Sequence, residues 1–398
     1  MNTLRKIYCR AFQKAFKFAL PFLPYRNPEV IGSVKSLPEI LLKKKCDNVL
    51  IITDKGIRNL GLTDRLERAL KGNNISYSIY DKTVANPTTV NVKEAEDLWY
   101  QSECKAIIGF GGGSSMDCAK AVAARIAKPK QSLAQMKGIL KVHKKLPLLI
   151  AIPTTAGTGS EVTASAVISD EARNYKLSVI SYELLPKYAI LDPELIMSLP
   201  ASIAAPTGVD ALIHAIEAYL STNASPFSDA MAEKAMELIG KNIRRFVANR
   251  QDAEAASAMM IGCTFAGISF AWAKLGNVHA MSHPVSAYYH VAHGVANSIL
   301  LPVVLEFNAL ADNGRYKKIY DYIHETNKNV TSFKAEMLVE EVKKLTAQLN
   351  IPQSLSEVGV TEECIQEMAE DALKSGNVLV NPRQTTLRDL VELYKKAL

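Results

Sequence analysis

No C-x-x-C pair occurs in this chain. Its six cysteines (Cys9, Cys46, Cys104, Cys118, Cys263 and Cys364) are scattered, so neither a zinc ribbon nor a short disulfide framework can be assembled from them, and a reducing compartment is expected. No apolar run reaches the ~20 residues that a membrane span needs, and the chain is not expected to cross a bilayer. Internal repeats and low-complexity tracts are missing as well. Acidic residues are absent from the head: Arg5, Lys6, Arg10, Lys14, Lys17 and Arg26 all precede Glu29, the first acid. Those residues carry most of the net +7, so the body is close to neutral and a nucleic-acid partner is not expected. What remains is 398 residues, 48% hydrophobic and 22% charged, enough for two domains of ordinary size in a cytoplasmic globular protein.

The head places Leu4, Ile7, Tyr8, Ala11, Ala15 and Phe18 on one broad helical face, with Lys6, Arg10, Lys14 and Lys17 on the other and Arg5 as the exception. Residues 1–27 are expected to form a basic amphipathic helix. Its apolar face has two uses: surface docking of residues 1–26 on a membrane or a larger assembly, or plain packing on the body or a twin subunit. Lys14 and Lys17 interrupt any signal-peptide core.

From residue 48 strand and helix signals alternate. Val49–Thr53, Ile75–Tyr80, Lys105–Phe110 and Leu146–Ile152 are short apolar or β-branched runs, and helical stretches lie between them, among them Val90–Gln101. This predicts a Rossmann-like α/β domain with a parallel sheet over residues 28–200, and beyond Pro200 a helical domain over 201–398, where long helical patterns take over.

Two loops follow strands directly. In Gly111-Gly-Gly-Ser-Ser-Met-Asp117, three glycines permit close backbone approach, and the N–H groups of Ser114, Ser115 and the helix start can receive anionic oxygens. It is not the G-x-G-x-x-G fingerprint, and a tight turn without a ligand has the same appearance. Pro153-Thr-Thr-Ala-Gly-Thr-Gly-Ser-Glu161 is the second loop, so the pair could close around one dinucleotide. Asp54, at the end of the first clear strand, suits a ribose 2′-hydroxyl and would repel a 2′-phosphate, which favours NAD over NADP.

Histidine is rare, seven in all, yet five fall between residues 214 and 293. Asp210 and His214 are four apart on a helical stripe that also carries Glu217, and taken alone this reads as a solvated face with an i, i+4 pair. His279 and His283 repeat the spacing among apolar neighbours, with His290 and His293 close behind. Burying several imidazoles near a carboxylate without a shared cation is costly. A set of nitrogen ligands and one oxygen suits Fe²⁺ or Zn²⁺ better than Mg²⁺ or Ca²⁺.

Taken with Gly208-Val-Asp-Ala-Leu-Ile-His214, His279-Ala-Met-Ser-His-Pro284, His293-Gly-Val-Ala-Asn297, Asn86-Pro-Thr88 and Asn381-Pro-Arg383, these motifs resemble the iron-containing (group III) alcohol dehydrogenases over residues 28–398. The resemblance implies a dinucleotide-binding α/β domain, an all-α metal-binding domain and an active site in the cleft between them. It implies Asp210, His214, His279 and His293 as ligands of a divalent metal, Fe²⁺ first and Zn²⁺ second. His283 falls near the substrate and nicotinamide and is a candidate proton relay. Asp54, Asn86, Gly112, Gly113, Ser114, Ser115, Thr154, Thr155 and Lys176 are implied as NAD contacts. The expected activity is hydride transfer between NAD(H) and a small, weakly polar alcohol or aldehyde, in a homodimer or larger homo-oligomer. A hydroxyacid-oxoacid transhydrogenase or a dehydroquinate-synthase-like lyase is possible on the same scaffold. The lyase needs clustered basic residues, whereas Met259–Met281 contains Lys274 alone. Trp272 and Lys274 depart from the asparagine and glycine common in the family, which puts any transfer of substrate preference in doubt.

Overall fold

The computed structural model describes residues 26–171, 175–325 and 332–398. The basic amphipathic helix expected in the head, and its docking role, lie outside the described residues apart from Arg26 and Asn27. In chain order the first part contains β1 (Glu29–Ile31), α1 (Leu37–Lys43), β2 (Asn48–Ile52), α2 (Lys55–Asn59), α3 (Asp64–Gly72), β3 (Ser76–Tyr80), α4 (Thr89–Gln101), β4 (Ala106–Gly111), α5 (Gly113–Ala127), α6 (Leu133–Met136), β5 (Gly138–Ile139), β6 (Leu148–Pro153), β7 (Ser165–Asp170), β8 (Tyr175–Ile180) and β9 (Tyr188–Ile190). The second part is helical: α7 (Ala201–Leu220), α8 (Pro226–Ala248), α9 (Ala253–Ala273), α10 (Asn277–Tyr289), α11 (His293–Asn308), α12 (Arg315–Ile323), α13 (Ala335–Gln348), α14 (Ile365–Leu373) and α15 (Leu387–Ala397).

Six strands form one parallel sheet in the order β1-β9-β6-β4-β2-β3. The central strands are buried on both faces, as their unbroken apolar runs require: all six residues of β4 are buried, as are Val49 to Ile52 of β2. Because β2, β4 and β6 are neighbours and parallel, their carboxyl ends bring Asp54, the glycine loop and the Pro153–Glu161 loop side by side, the usual ligand position in such sheets. A smaller sheet, β5-β8-β7, lies beside them and is joined to Thr88 through a bridge at Ser169. It was not among the strands expected from the sequence, although β8 (Tyr-Lys-Leu-Ser-Val-Ile) carries the polar–apolar period of a half-buried strand.

The helical part has one continuous core. α7 is buried all round, every residue from Gly208 to Leu220 included, and α8, α9 and α11 pack on it. Among the described residues α9 and the α11 segment His293–Ala311 are long and apolar enough to cross a membrane, contrary to the expectation that no stretch would be. More than half of each is buried among its neighbours, which is where their apolar surface goes. At one point α11 lies directly on α7: a Cβ on Gly294 would sit 2.5 Å from the Pro206 carbonyl, so only glycine permits this approach. That contact sets the first turn of α11, which begins at His293, against the helix that carries Asp210.

Candidate metal and dinucleotide site

Asp210 and His214 project from α7, His279 and His283 from α10, and His293 opens α11. Asp210, His214 and Glu217 are 3%, 5% and 6% exposed, so the stripe they form is not a solvated face. Ligand atoms of Asp210, His279 and His293 lie within 4.8 Å of one another. Nε2 of His279 is 3.5 Å and Nε2 of His293 is 4.0 Å from Oδ1 of Asp210. His214 falls outside that three-residue cluster but adjoins it, its ring stacked on His279 with centroids 4.5 Å apart. Nδ1 of His214 lies 3.2 Å from the Gly157 carbonyl, which can only accept, so its proton is on Nδ1 and Nε2 keeps a lone pair. His290 is not part of the group; it ends α10 in the left-handed region, exposed.

The donor set fits a divalent cation. Asn297 places Nδ2 2.6 Å from Oδ1 of Asp210 and 3.1 Å from Nε2 of both His279 and His293, while its Oδ1 is buried without a partner. Three lone pairs thus converge around one electropositive group, and one carboxylate with neutral imidazoles matches the coordination preference of Fe²⁺ or Zn²⁺. Glu217 completes the arrangement from one turn beyond His214: its Oε2 is 2.6 Å from Nδ1 of His279, which leaves Nε2 to face Asp210. Burial alone would raise the carboxyl of Asp210, but the imidazoles of His214, His279 and His293 hold it below the ordinary range. Burial would lower His279, yet hydrogen bonds donated to the carboxylates of Asp210 and Glu217 push it up to about 9. Burial dominates for His214 and His293, pulled down to about 3 and about 4. Nε2 of His279 thus faces the Asp210 carboxylate, the position where a metal ion would take the place of a proton.

His283 lies one turn beyond His279 and is exposed, stacked on His293 with centroids 5.3 Å apart. Phe270 faces His214 with centroids 4.6 Å apart. Trp272 instead packs edge-on against Phe227 at 5.1 Å, so of these two rings it is Phe270 that meets the histidine cluster.

The residues implied for NAD lie at the carboxyl ends of β2, β4 and β6 and on the segments beside them. Gly112 caps α5 without a side chain, leaving the N–H groups of Gly113, Ser114 and Ser115 at the start of a 15-residue helix. Gly111 has φ +148°, and a Cβ there would overlap Ser115, so the turn needs glycine. Thr154 is fully buried and donates its N–H to the Gly111 carbonyl, while Thr155 lies across from Gly112. The Asn86 N–H reaches Oγ of Ser114 at 3.3 Å, and Nζ of Lys176 donates to Oδ1 of Asn86 at 2.9 Å. Asp54 has local duties too: Oδ1 caps α2 through the Ile57 N–H, and Oδ2 accepts from Ser115 at 3.4 Å.

Two family models match the chain: the description "Iron-containing alcohol dehydrogenase" over residues 30–193 and "Fe-containing alcohol dehydrogenase family, C-terminal" over residues 204–398. A 1,3-propanediol dehydrogenase of Citrobacter freundii is 35% identical over 387 residues, covering 96% of this chain and 99% of the relative. An NAD-dependent methanol dehydrogenase of Bacillus methanolicus is 36% identical over 378 residues, covering 95% and 99%. Among solved structures, a 1,3-propanediol oxidoreductase superposes with a TM-score of 0.90 at 34% identity, covering 94% of this chain and 99% of that one. With both halves matched and the site geometry in place, the chain belongs to the iron-containing alcohol dehydrogenase family of oxidoreductases.

Proposed function

We propose that the chain is an NAD(H)- and divalent-metal-dependent alcohol dehydrogenase, or aldehyde reductase, for small, weakly polar substrates. The observation that carries this reading is the convergence of Asp210, His279 and His293 on one centre, with His214 stacked beside them. When bound, the metal supplies a Lewis acid for the substrate oxygen and the nicotinamide supplies or accepts the hydride. The residues of this chain do the rest. Gly112 to Ser115 and Thr154 to Thr155 form the cradle for the diphosphate, and Asp54 accepts a ribose hydroxyl, which favours NAD over NADP. Lys176, whose charge acts on His283, is held by its hydrogen bond to Asn86. Phe270 keeps the pocket apolar, consistent with a short alcohol chain. In this reading His283 passes a proton between the substrate oxygen and water, supported by its exposure and its contact with His293.

The test is anaerobic NADH oxidation with a series of short aldehydes and ketones, comparing iron-loaded, zinc-loaded and metal-stripped protein. Turnover is expected only in a metal-loaded form, with NADH preferred over NADPH. No NADH loss with any of these substrates would overturn the reading.

A further inference from the structure

The six residues from Val380 to Thr385 are bonded to the start of α10, the end of α11 and the residue just past α7, the three helices that carry the metal-site histidines and Asp210. The Val380 carbonyl accepts the N–H of Thr222, just past the end of α7, at 2.9 Å. Oδ1 of Asn381 accepts the backbone N–H of Asn277, the first residue of α10, at 3.2 Å, and the Nδ2 of Asn308, the last residue of α11, at 3.1 Å. In return Nδ2 of Asn381 donates to Oδ1 of Asn308 at 2.8 Å and to the Arg383 carbonyl at 2.8 Å. Oγ1 of Thr385 accepts from Nδ2 of Asn277 at 2.8 Å. Asn277, Asn308 and Asn381 are 0%, 4% and 4% exposed, so these bonds form without competition from water.

The start of α10 explains why this matters. A helix leaves its first N–H groups without partners, and Gly276 at the cap has no side chain to satisfy them. They are served from elsewhere in the fold: Asn277 by Asn381, and Val278 and His279 by the carboxylate of Glu217 at 2.7 and 3.4 Å. A Cβ on Gly276 would sit 2.9 Å from Glu217 and 3.0 Å from Asn381, so both side chains close on the same backbone turn. That carboxylate is also the one that orients His279. We propose that Asn381 is a positioning residue for the metal site: by pinning the first turn of α10 to α11, it holds His279 in register with Glu217 and with Asp210. The inference rests on the metal-centre reading above.

The experiment measures Co²⁺ affinity by competition with a chromophoric chelator, and the visible d–d spectrum of the Co²⁺ form, in wild type, Asn381→Ala and the control Leu338→Ala. Leu338 is fully buried on α13, so its truncation lowers stability without touching this network. At a temperature where all variants are folded, Asn381→Ala is expected to weaken Co²⁺ binding at least tenfold and shift the spectrum, with the control unchanged in both. If Asn381→Ala does not fold, Asn308→Ala, which keeps the Asn381 contact to Asn277 but frees its amide, is expected to shift both in the same direction. Wild-type affinity and spectrum in whichever variant folds overturns the inference, and so does an equal loss in the control. A wild-type protein that takes up no Co²⁺ overturns the metal reading itself, which separates the two failures.

Discussion

Nδ1 of His279 and Oε2 of Glu217 lie 2.6 Å apart, and both groups are buried. The pairing fixes which imidazole nitrogen can bind metal, and outer-shell carboxylates of this kind typically account for about 10–100-fold in metal affinity. Glu217→Gln retains an acceptor for Val278 while removing the charge. We expect metal affinity to fall within that range, read by chelator competition; an affinity within twofold of wild type would show that the carboxylate only caps α10.

Removing the metal should cost stability as well as turnover. Binding to the folded state alone stabilises by about 2.7 kcal/mol at a free concentration 100 times Kd. Asp210, 3% exposed among imidazoles, gains no equivalent partner in the unfolded chain. Differential scanning calorimetry with and without chelator should show the melting temperature falling, and Fe²⁺ or Zn²⁺ returning it. An unchanged melting temperature combined with lost activity would mean that the ion binds too weakly to contribute to folding.

Much of this site was legible in the sequence because it is written locally. The i, i+4 pairs Asp210–His214 and His279–His283 and the glycine run after β4 each lie within one element, so periodicity reveals them. The partners of those residues are another matter. Glu217 meets His279 across 62 positions and Asn381 meets Asn277 across 104, and nothing in helical spacing announces either pair. Glu217 was visible only as a member of a polar stripe, which reads the same whether the stripe faces water or a buried neighbour. In the fold, the runs at β2, β3, β4 and β6 stood out by their apolar content, whereas β1 and β9, three residues each, are too short to separate from loop. Trp272 drew attention as a departure beside the substrate side, but its direction, toward Phe227, depends on how α8 meets α9.

Lys274 ends α9 with φ 65° and ψ −175°, a region that is essentially restricted to glycine. Strain there is worth on the order of 1–3 kcal/mol, and the added unfolded-state entropy of glycine takes back roughly 0.5–1 kcal/mol. Lys274→Gly is therefore expected to stabilise the protein by about 1 kcal/mol, seen as a higher urea midpoint at unchanged slope. A lower midpoint would show that the contacts of the half-buried lysine outweigh the strain.

The last prediction concerns a buried charge outside the metal site. Lys120 on α5 is 1% exposed, and its Nζ donates to the Ser160 carbonyl at 2.6 Å, Oγ of Ser160 at 2.9 Å, the Ser165 carbonyl at 3.0 Å and Oγ1 of Thr163 at 3.1 Å. Asp117 is 3.9 Å away. Burial pulls the lysine down to about 8, so it still carries its charge at neutral pH, and burial raises the carboxyl of Asp117 despite the nearby ammonium. Lys120→Met leaves that carboxyl without its counter-charge, a change that typically costs about 3–5 kcal/mol. The cost must depend on pH in a definite direction. Without Lys120 the folded-state pKa of Asp117 rises further above its unfolded value, so between the two the folded protein binds more protons than the unfolded one, and stability falls as pH rises. Urea unfolding of the variant should accordingly show its deficit against wild type shrinking as the pH is lowered from neutral toward the ordinary carboxylate range. A deficit that stays constant with pH would mean that the loss comes from the hydrogen bonds to Ser160, Thr163 and Ser165 and not from the charge.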